Sequence, residues 1–110
     1  MKKILAVTLA RGGSKGIKNK NLIKINGKPL IYYTIREAKK CKKFANYIVS
    51  TDSLKIKKIA EKYGAEVPFI RPKNLSKDKS SSASALKHAL LKCEKIFNIK
   101  YDYVVELMAT

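Results

Sequence analysis

Ile4-Leu5-Ala6-Val7-Thr8-Leu9, followed at once by Ala10-Arg11-Gly12-Gly13-Ser14-Lys15-Gly16, is the stretch that decides the fold class. Residues 3–9 form a short apolar run rich in branched side chains, and it stops at a glycine cluster. That is the pattern of a buried strand feeding a loop. Residues 11–27 hold four of the five glycines and show no helix or strand period, so they read as one loop. Pro29 then suits the first turn of a helix running through Leu30, Ile31, Thr34, Ile35, Ala38 and Cys41, at spacings of three and four. Tyr47-Ile48-Val49-Ser50 reads as a second buried strand closing on Thr51-Asp52-Ser53, three adjacent residues that each make a good helix N-cap. Ile56, Ile59, Ala60 and Tyr63 mark one face of the helix that follows, and Gly64 sits where its C-terminal cap belongs. Residues 66–70 form a third short strand leading into Arg71-Pro72 and a polar loop. Residues 80–97 carry a helical stripe of Ala83, Leu86, Leu90, Cys93 and Phe97, and residues 103–108 form a fourth strand.

Strands alternating with helices of this length predict an α/β fold of the Rossmann-like, doubly wound type: a mainly parallel sheet with helices on both faces. Such sheets bind ligands at the carboxyl ends of their strands. The loops at those ends are residues 10–21, 51–53 and 71–82. The last strand runs to the end of the chain with no element after it to cover its flank, so the sequence is expected to be truncated.

Composition narrows the function. The chain has 110 residues, 45% of them hydrophobic, with 25 Lys plus Arg against 8 Asp plus Glu for a net charge of +17. That hydrophobic content excludes disorder, and the length excludes two full domains. The apolar run at the start is too short for a membrane span of about 20 residues. Arg11 follows it where a secretory signal would need a small-residue cleavage site, so neither a membrane nor a secreted setting is expected. Cys41 and Cys93 show no metal or disulfide spacing, and a reduced, cytoplasmic setting is expected. Lys supplies 22 of the 25 cations. Nucleic-acid interfaces lean on Arg for bidentate contacts, so the lysines read as solvated helix faces in preference to a nucleic-acid surface.

The loop after the first strand carries the chemistry. Gly12, Gly13 and Gly16 let the backbone approach a ligand and turn amides inward, while Arg11, Lys15 and Lys20 add three cations to the same rim. Neither the Gly-x-x-x-x-Gly-Lys-Ser/Thr spacing of a P-loop nor Gly-x-Gly-x-x-Gly is present. A polyphosphate fits the combination; an ordinary glycine-rich crossover is the alternative. Asn21 offers both a donor and an acceptor, suited either to a ribose or base or to a turn. Arg71 is held extended by Pro72 at a strand's carboxyl end, as a ligand contact or as a plain strand terminator. Ser80, Ser81 and Ser82 supply hydroxyls and amides at a helix start, either for a ligand or as caps. Asp52 fits an N-cap as well as a contact at the ligand edge, and His88, in mid-helix, reads as packing against the sheet.

Several of these runs together resemble a known family. Ala10 to Gly16, then Lys20-Asn21-Leu22 and Asn26-Gly27-Lys28-Pro29-Leu30, are similar to the opening of the acylneuraminate cytidylyltransferases, the CMP-sialic acid synthetase family. Val49-Ser50-Thr51-Asp52-Ser53, Gly64-Ala65-Glu66-Val67-Pro68-Phe69, Arg71-Pro72 and His88-Ala89-Leu90 continue the likeness down the chain. The resemblance implies a nucleotide-diphospho-sugar transferase type of fold, with residues 1–110 as the N-terminal, CTP-binding part of a single cytidylyltransferase domain. It implies transfer of CMP from CTP to the anomeric hydroxyl of a nine-carbon, sialic-type (nonulosonic) acid, releasing pyrophosphate. Arg11 and Lys20 would be catalytic. Arg11, Gly12, Ser14, Lys15, Lys20, Asn21, Arg71, Ser80 and Ser82 would bind CTP, with Arg71 beside the cytosine.

The family's magnesium-binding aspartates belong to the second half, so Mg2+ is expected with its ligands outside this segment and no metal site is assigned within it. A homodimer is implied for the full-length protein. One departure bears on the sugar. Where the family commonly reads Leu-Gln-Pro, this chain has Leu107-Met108-Ala109, and a thioether cannot replace the amide that helps hold the sugar. The competing readings are a cytidylyltransferase for another sugar acid and a Lys-rich nucleic-acid-binding α/β module.

Overall fold

The computed structural model describes residues 2–12, 22–72 and 82–108. In chain order its elements are β1 (Ile4–Leu9), β2 (Lys24–Ile25), β3 (Lys28–Pro29), α1 (Leu30–Lys40), β4 (Asn46–Ser50), α2 (Leu54–Lys62), α3 (Ser82–Phe97) and β5 (Tyr103–Glu106). The opening apolar run becomes the central strand. β1 lies between β4 and β5, and both pairings are parallel, with Val7 beside Ile48 on one side and Glu106 on the other. Parallel neighbours cannot be joined by a tight turn, so each connection crosses over through helix.

Alternation along the strands sends side chains to two separate cores. Leu5, Val7 and Ile48 pack against Ala89 and Cys93 of α3, with Leu86, Leu90 and Phe97 partly buried around them. On the other face Ala10 and Val49 meet Ile31 and Ile35 of α1 and Ile56 and Ala60 of α2. Two cores on two faces are what the doubly wound arrangement requires, and the sequence pattern of β1 and β4 follows from it: strands covered on both sides have no polar face to show. α1 buries Ile31, Ile35 and Ala38 in one stripe. Ser53 caps α2 by accepting the Ile56 N–H at 3.2 Å, and Gly64 stands just beyond that helix at φ +94°.

Four expectations are corrected. Residues 11–27 are not loop throughout: β2 and β3 form a hairpin whose turn is Asn26-Gly27, both at positive φ (53° and 81°). Two successive residues in that region give a turn whose twist matches the strands, and Asn-Gly is the pair that adopts it most readily. The third strand over residues 66–70 is reduced to a parallel bridge from Glu66 to Ile48. The segment touches the β4 side at its two ends, Val49 N–H donating to the Glu66 carbonyl (2.9 Å) and Arg71 N–H to the Thr51 carbonyl (2.8 Å). Pro68, lying between, has no N–H to extend the ladder. The buried stripe of α3 is Ala85, Ala89 and Cys93, while Ala83 is exposed. Small residues under the helix axis let it approach the sheet, and the larger Leu86, Leu90 and Phe97 flank the contact. The last strand also ends at Glu106, although Leu107 N–H still donates to the Val7 carbonyl at 2.9 Å.

Candidate active site

The carboxyl ends of β1 and β4 lie side by side, and the loops leaving them are tied together. Ala10 N–H donates to the Ser50 carbonyl (2.9 Å), extending the ladder one residue past the strand. Gly12 N–H then donates to Asp52 Oδ1 at 2.8 Å. A methyl group on Gly12 would stand 3.0 Å from Ser53 Cβ, so glycine is what lets the first loop press against the start of α2. Asp52 is therefore no helix cap. Ser53 has that role, and the Asp52 carboxylate is committed to the neighbouring loop.

Arg71 reaches the same edge from the segment after the bridge. It is only 4% exposed, and its Nε is buried with no hydrogen-bond partner among the described residues. Burial lowers its affinity for the proton, the Asp52 carboxylate works in the opposite direction, and Arg11 adds to the lowering. Guanidinium remains charged at any working pH, so the site holds a largely desolvated cation with one donor unused among the described residues. Buried polar atoms are nearly always paired, and an idle donor on a buried Arg at the ligand edge of a doubly wound sheet points to an anionic or acceptor-rich ligand.

Of the residues expected to contact a ligand, Arg11, Gly12 and Arg71 thus come together around Asp52. Ser82 is the first residue of α3 and is exposed. Ser14, Lys15, Lys20, Asn21 and Ser80 lie outside the described residues. His88 packs its ring edge-on against Phe69, outside the sheet, with centroids 5.2 Å apart. Its imidazole is held below the ordinary range by burial first, and then by the cations of Lys92 and Arg71. Its Nδ1 is buried and unpartnered among the described residues. Cys41 and Cys93 are both free thiols.

Lysines lie on helix faces in the way a solvated surface requires: Lys57 pairs with Glu61 at 3.1 Å and Lys40 with Glu37 at 3.3 Å. Among the described residues no three His, Cys, Asp or Glu side chains gather as a metal site would need. No helix among them is long and apolar enough to cross a membrane.

Comparison with known proteins bears directly on this edge. The family pattern described as cytidylyltransferase matches residues 5–105, nearly the whole chain. The chain belongs to the cytidylyltransferase family. It is 42% identical over 110 residues to the CMP-N,N'-diacetyllegionaminic acid synthase of Campylobacter jejuni, covering all of this chain and 47% of that protein. Over 88 residues it is 48% identical to the N-acylneuraminate cytidylyltransferase of Escherichia coli, covering 80% of this chain and 21% of that one. The chain thus spans less than half the length of either relative.

Among solved structures, the cytidylyltransferase fold seen here superposes on CMP:2-keto-3-deoxy-manno-octonic acid synthetase complexed with CTP. The TM-score is 0.81 at 23% identity, over 98% of this chain and 40% of the other. That likeness establishes the Rossmann-like architecture. Sequence reasoning missed that Asp52 acts between loops; its place in a row of three equally good caps hid it.

Proposed function

We propose that this cytidylyltransferase chain forms the CTP-binding portion of an enzyme that transfers CMP from CTP to the anomeric hydroxyl of a nonulosonic acid, releasing pyrophosphate. The observation that carries the reading is the buried Arg71, its Nε unpartnered among the described residues, gathered with Arg11 and Gly12 at the carboxyl edge of β1 and β4. In this reaction the sugar hydroxyl attacks the α-phosphorus and gives up its proton to solvent, the bond from that phosphorus to the α,β-bridging oxygen breaks, and pyrophosphate leaves with the electron pair. Such a transfer asks the protein mainly for in-line positioning and charge neutralisation. Arg11, with Lys15 and Lys20 of the same loop, neutralises the leaving group, and Gly12 and Ser14 line its path. Arg71, Asn21, Ser80 and Ser82 hold the nucleoside.

The relatives named for legionaminic and N-acylneuraminic acids support a sialic-type acceptor. Met108, 68% exposed, occupies the position where the amide is absent, so the acceptor is the open variable. The expected setting is the cytoplasm, where CTP is made, and the full-length protein is expected to pair as a homodimer. The test is pyrophosphate release by the complete reading frame with CTP, magnesium and each of N-acetylneuraminic, legionaminic and pseudaminic acids. Formation of one CMP-sugar supports the assignment; no release with any of the three, nor with an eight-carbon acid, refutes it.

A further inference from the structure

We infer that Asp52 is a positioning residue, which holds Arg11 in its working place by anchoring the glycine after it; this rests on the CTP reading above. A carboxylate at the mouth of a triphosphate site is, on its face, a defect. It repels the substrate, and more strongly near protein than in bulk water. Here the charge is turned inward. Asp52 Oδ1 accepts the Gly12 N–H at 2.8 Å, and the same carboxylate opposes the effect of burial on Arg71.

The backbone of Arg11 is consequently bracketed. On one side Ala10 N–H is fixed to the Ser50 carbonyl, and on the other Gly12 N–H is fixed to Asp52. Asp52 is itself held between two pinned neighbours. Thr51 Oγ1 accepts the Ser53 N–H at 3.1 Å, and Ser53 Oγ accepts from Ile56 at the start of α2. Arg11 and Arg71 act unfavourably on one another, and the Asp52 carboxylate offsets part of that at Arg71 before any ligand arrives. Loss of the anchor frees one end of the Arg11 bracket while leaving the strands and both cores untouched.

The experiment compares Asp52→Ala and Asp52→Asn with the parent in the complete reading frame. Asn keeps an oxygen acceptor for Gly12 and removes the charge. Three quantities are read: solvent exchange of the Gly12 amide by NMR, KM and kcat with CTP as the varied substrate, and Tm. Asp52→Ala is expected to speed Gly12 exchange about tenfold and raise KM for CTP about tenfold, the size of one lost hydrogen bond to a charged group, with a smaller change in kcat. Asp52→Asn is expected to restore most of the Gly12 protection and of KM. If Asp52→Ala does not fold, Asp52→Glu, which shifts the acceptor by one methylene, carries the same comparison.

A merely structural role would lower Tm with KM unmoved and no recovery in Asp52→Asn, and that pattern overturns the proposal. Unchanged Gly12 exchange in Asp52→Ala overturns the anchor itself, whether or not the protein uses CTP. A parent protein that keeps the anchor yet neither binds nor turns over CTP sinks the CTP reading and takes the positioning role with it.

Discussion

Replacing Arg71 by Met should separate binding from stability, with opposite signs. The side chain is 4% exposed and its Nε is unpaired among the described residues, so within them it is a desolvated charge with incomplete compensation. Burying a charge without full compensation costs free energy, and an apolar side chain of similar volume relieves that cost in the ligand-free protein. Asp52 tempers the gain here, because it loses one favourable neighbour while retaining the Gly12 N–H. The ligand-free variant should therefore melt no lower than the parent by more than about 1 kcal/mol, roughly 4–8 °C for a domain of this size.

Affinity should move the other way. A hydrogen bond from a charged donor is worth about 1.5–3 kcal/mol, and each 1.4 kcal/mol is about a tenfold change in Kd. CTP should thus bind roughly 10–100-fold more weakly to Arg71→Met. Isothermal calorimetry gives Kd, and thermal melts with and without CTP give both quantities on one sample. A variant that melts far below the parent yet binds CTP with unchanged Kd would refute the reasoning, because Arg71 would then be a structural residue.

Three further outcomes follow from the same geometry. Gly12→Ala places a methyl 3.0 Å from Ser53 Cβ, and since Ser53 is held by its capping bond, the overpacking should cost about 1–3 kcal/mol, read by chemical denaturation. Burial pushes the Cys93 thiol up to about 12, whereas Cys41 is exposed; a thiol reagent at pH 8 should therefore titrate one cysteine in the native protein and two in denaturant. The Tyr47 hydroxyl, hydrogen-bonded to Thr8 Oγ1 at 2.7 Å, is raised from 10.0 to about 12 by burial. Because the folded state holds that proton more tightly, the associated stability is complete below pH 10 and is lost as pH rises toward 12. Tyr47→Phe should show a shallower decline across that window in urea melts, and an identical decline would contradict the assignment.

Much of this fold is legible because the doubly wound plan imposes strong local patterns. β1 and β4 are buried on both sides, so their apolar runs survive as unbroken strings, and α1 and α2 show their cores at spacings of three and four. The hairpin escaped because strands of two residues have no period to detect, and the Asn26-Gly27 pair was the one available signal. The strand after α2 failed for a chemical reason, Pro68, visible in the sequence but outweighed by the apolar residues around it. The stripe on α3 slipped because period alone does not say whether Ala or Leu lies beneath the axis.

The site is legible only in part. Arg11 and the glycines announce an anion, but nothing local joins Arg71 to Arg11. They meet because β4 lies beside β1 on one side and the segment from Glu66 to Arg71 runs along its other side, where Arg71 N–H reaches the Thr51 carbonyl. Asp52 shows the same limit in miniature. Three adjacent residues can all cap a helix, and only the position of Gly12 decides which of them is left free to do something else.

The central place of β1 has a consequence for how the protein is made. Ile4 is translated 99 residues ahead of Tyr103, its partner in β5, so the middle strand keeps an open edge until almost the whole of the intervening chain has been made. At about 5–20 residues per second that is an interval of roughly 5–20 s. Throughout it Leu5 and Val7, destined for the core under α3, have neither that helix nor β5 to cover them. A nascent chain of this design offers holdase chaperones an apolar strand long before it can shelter that strand itself.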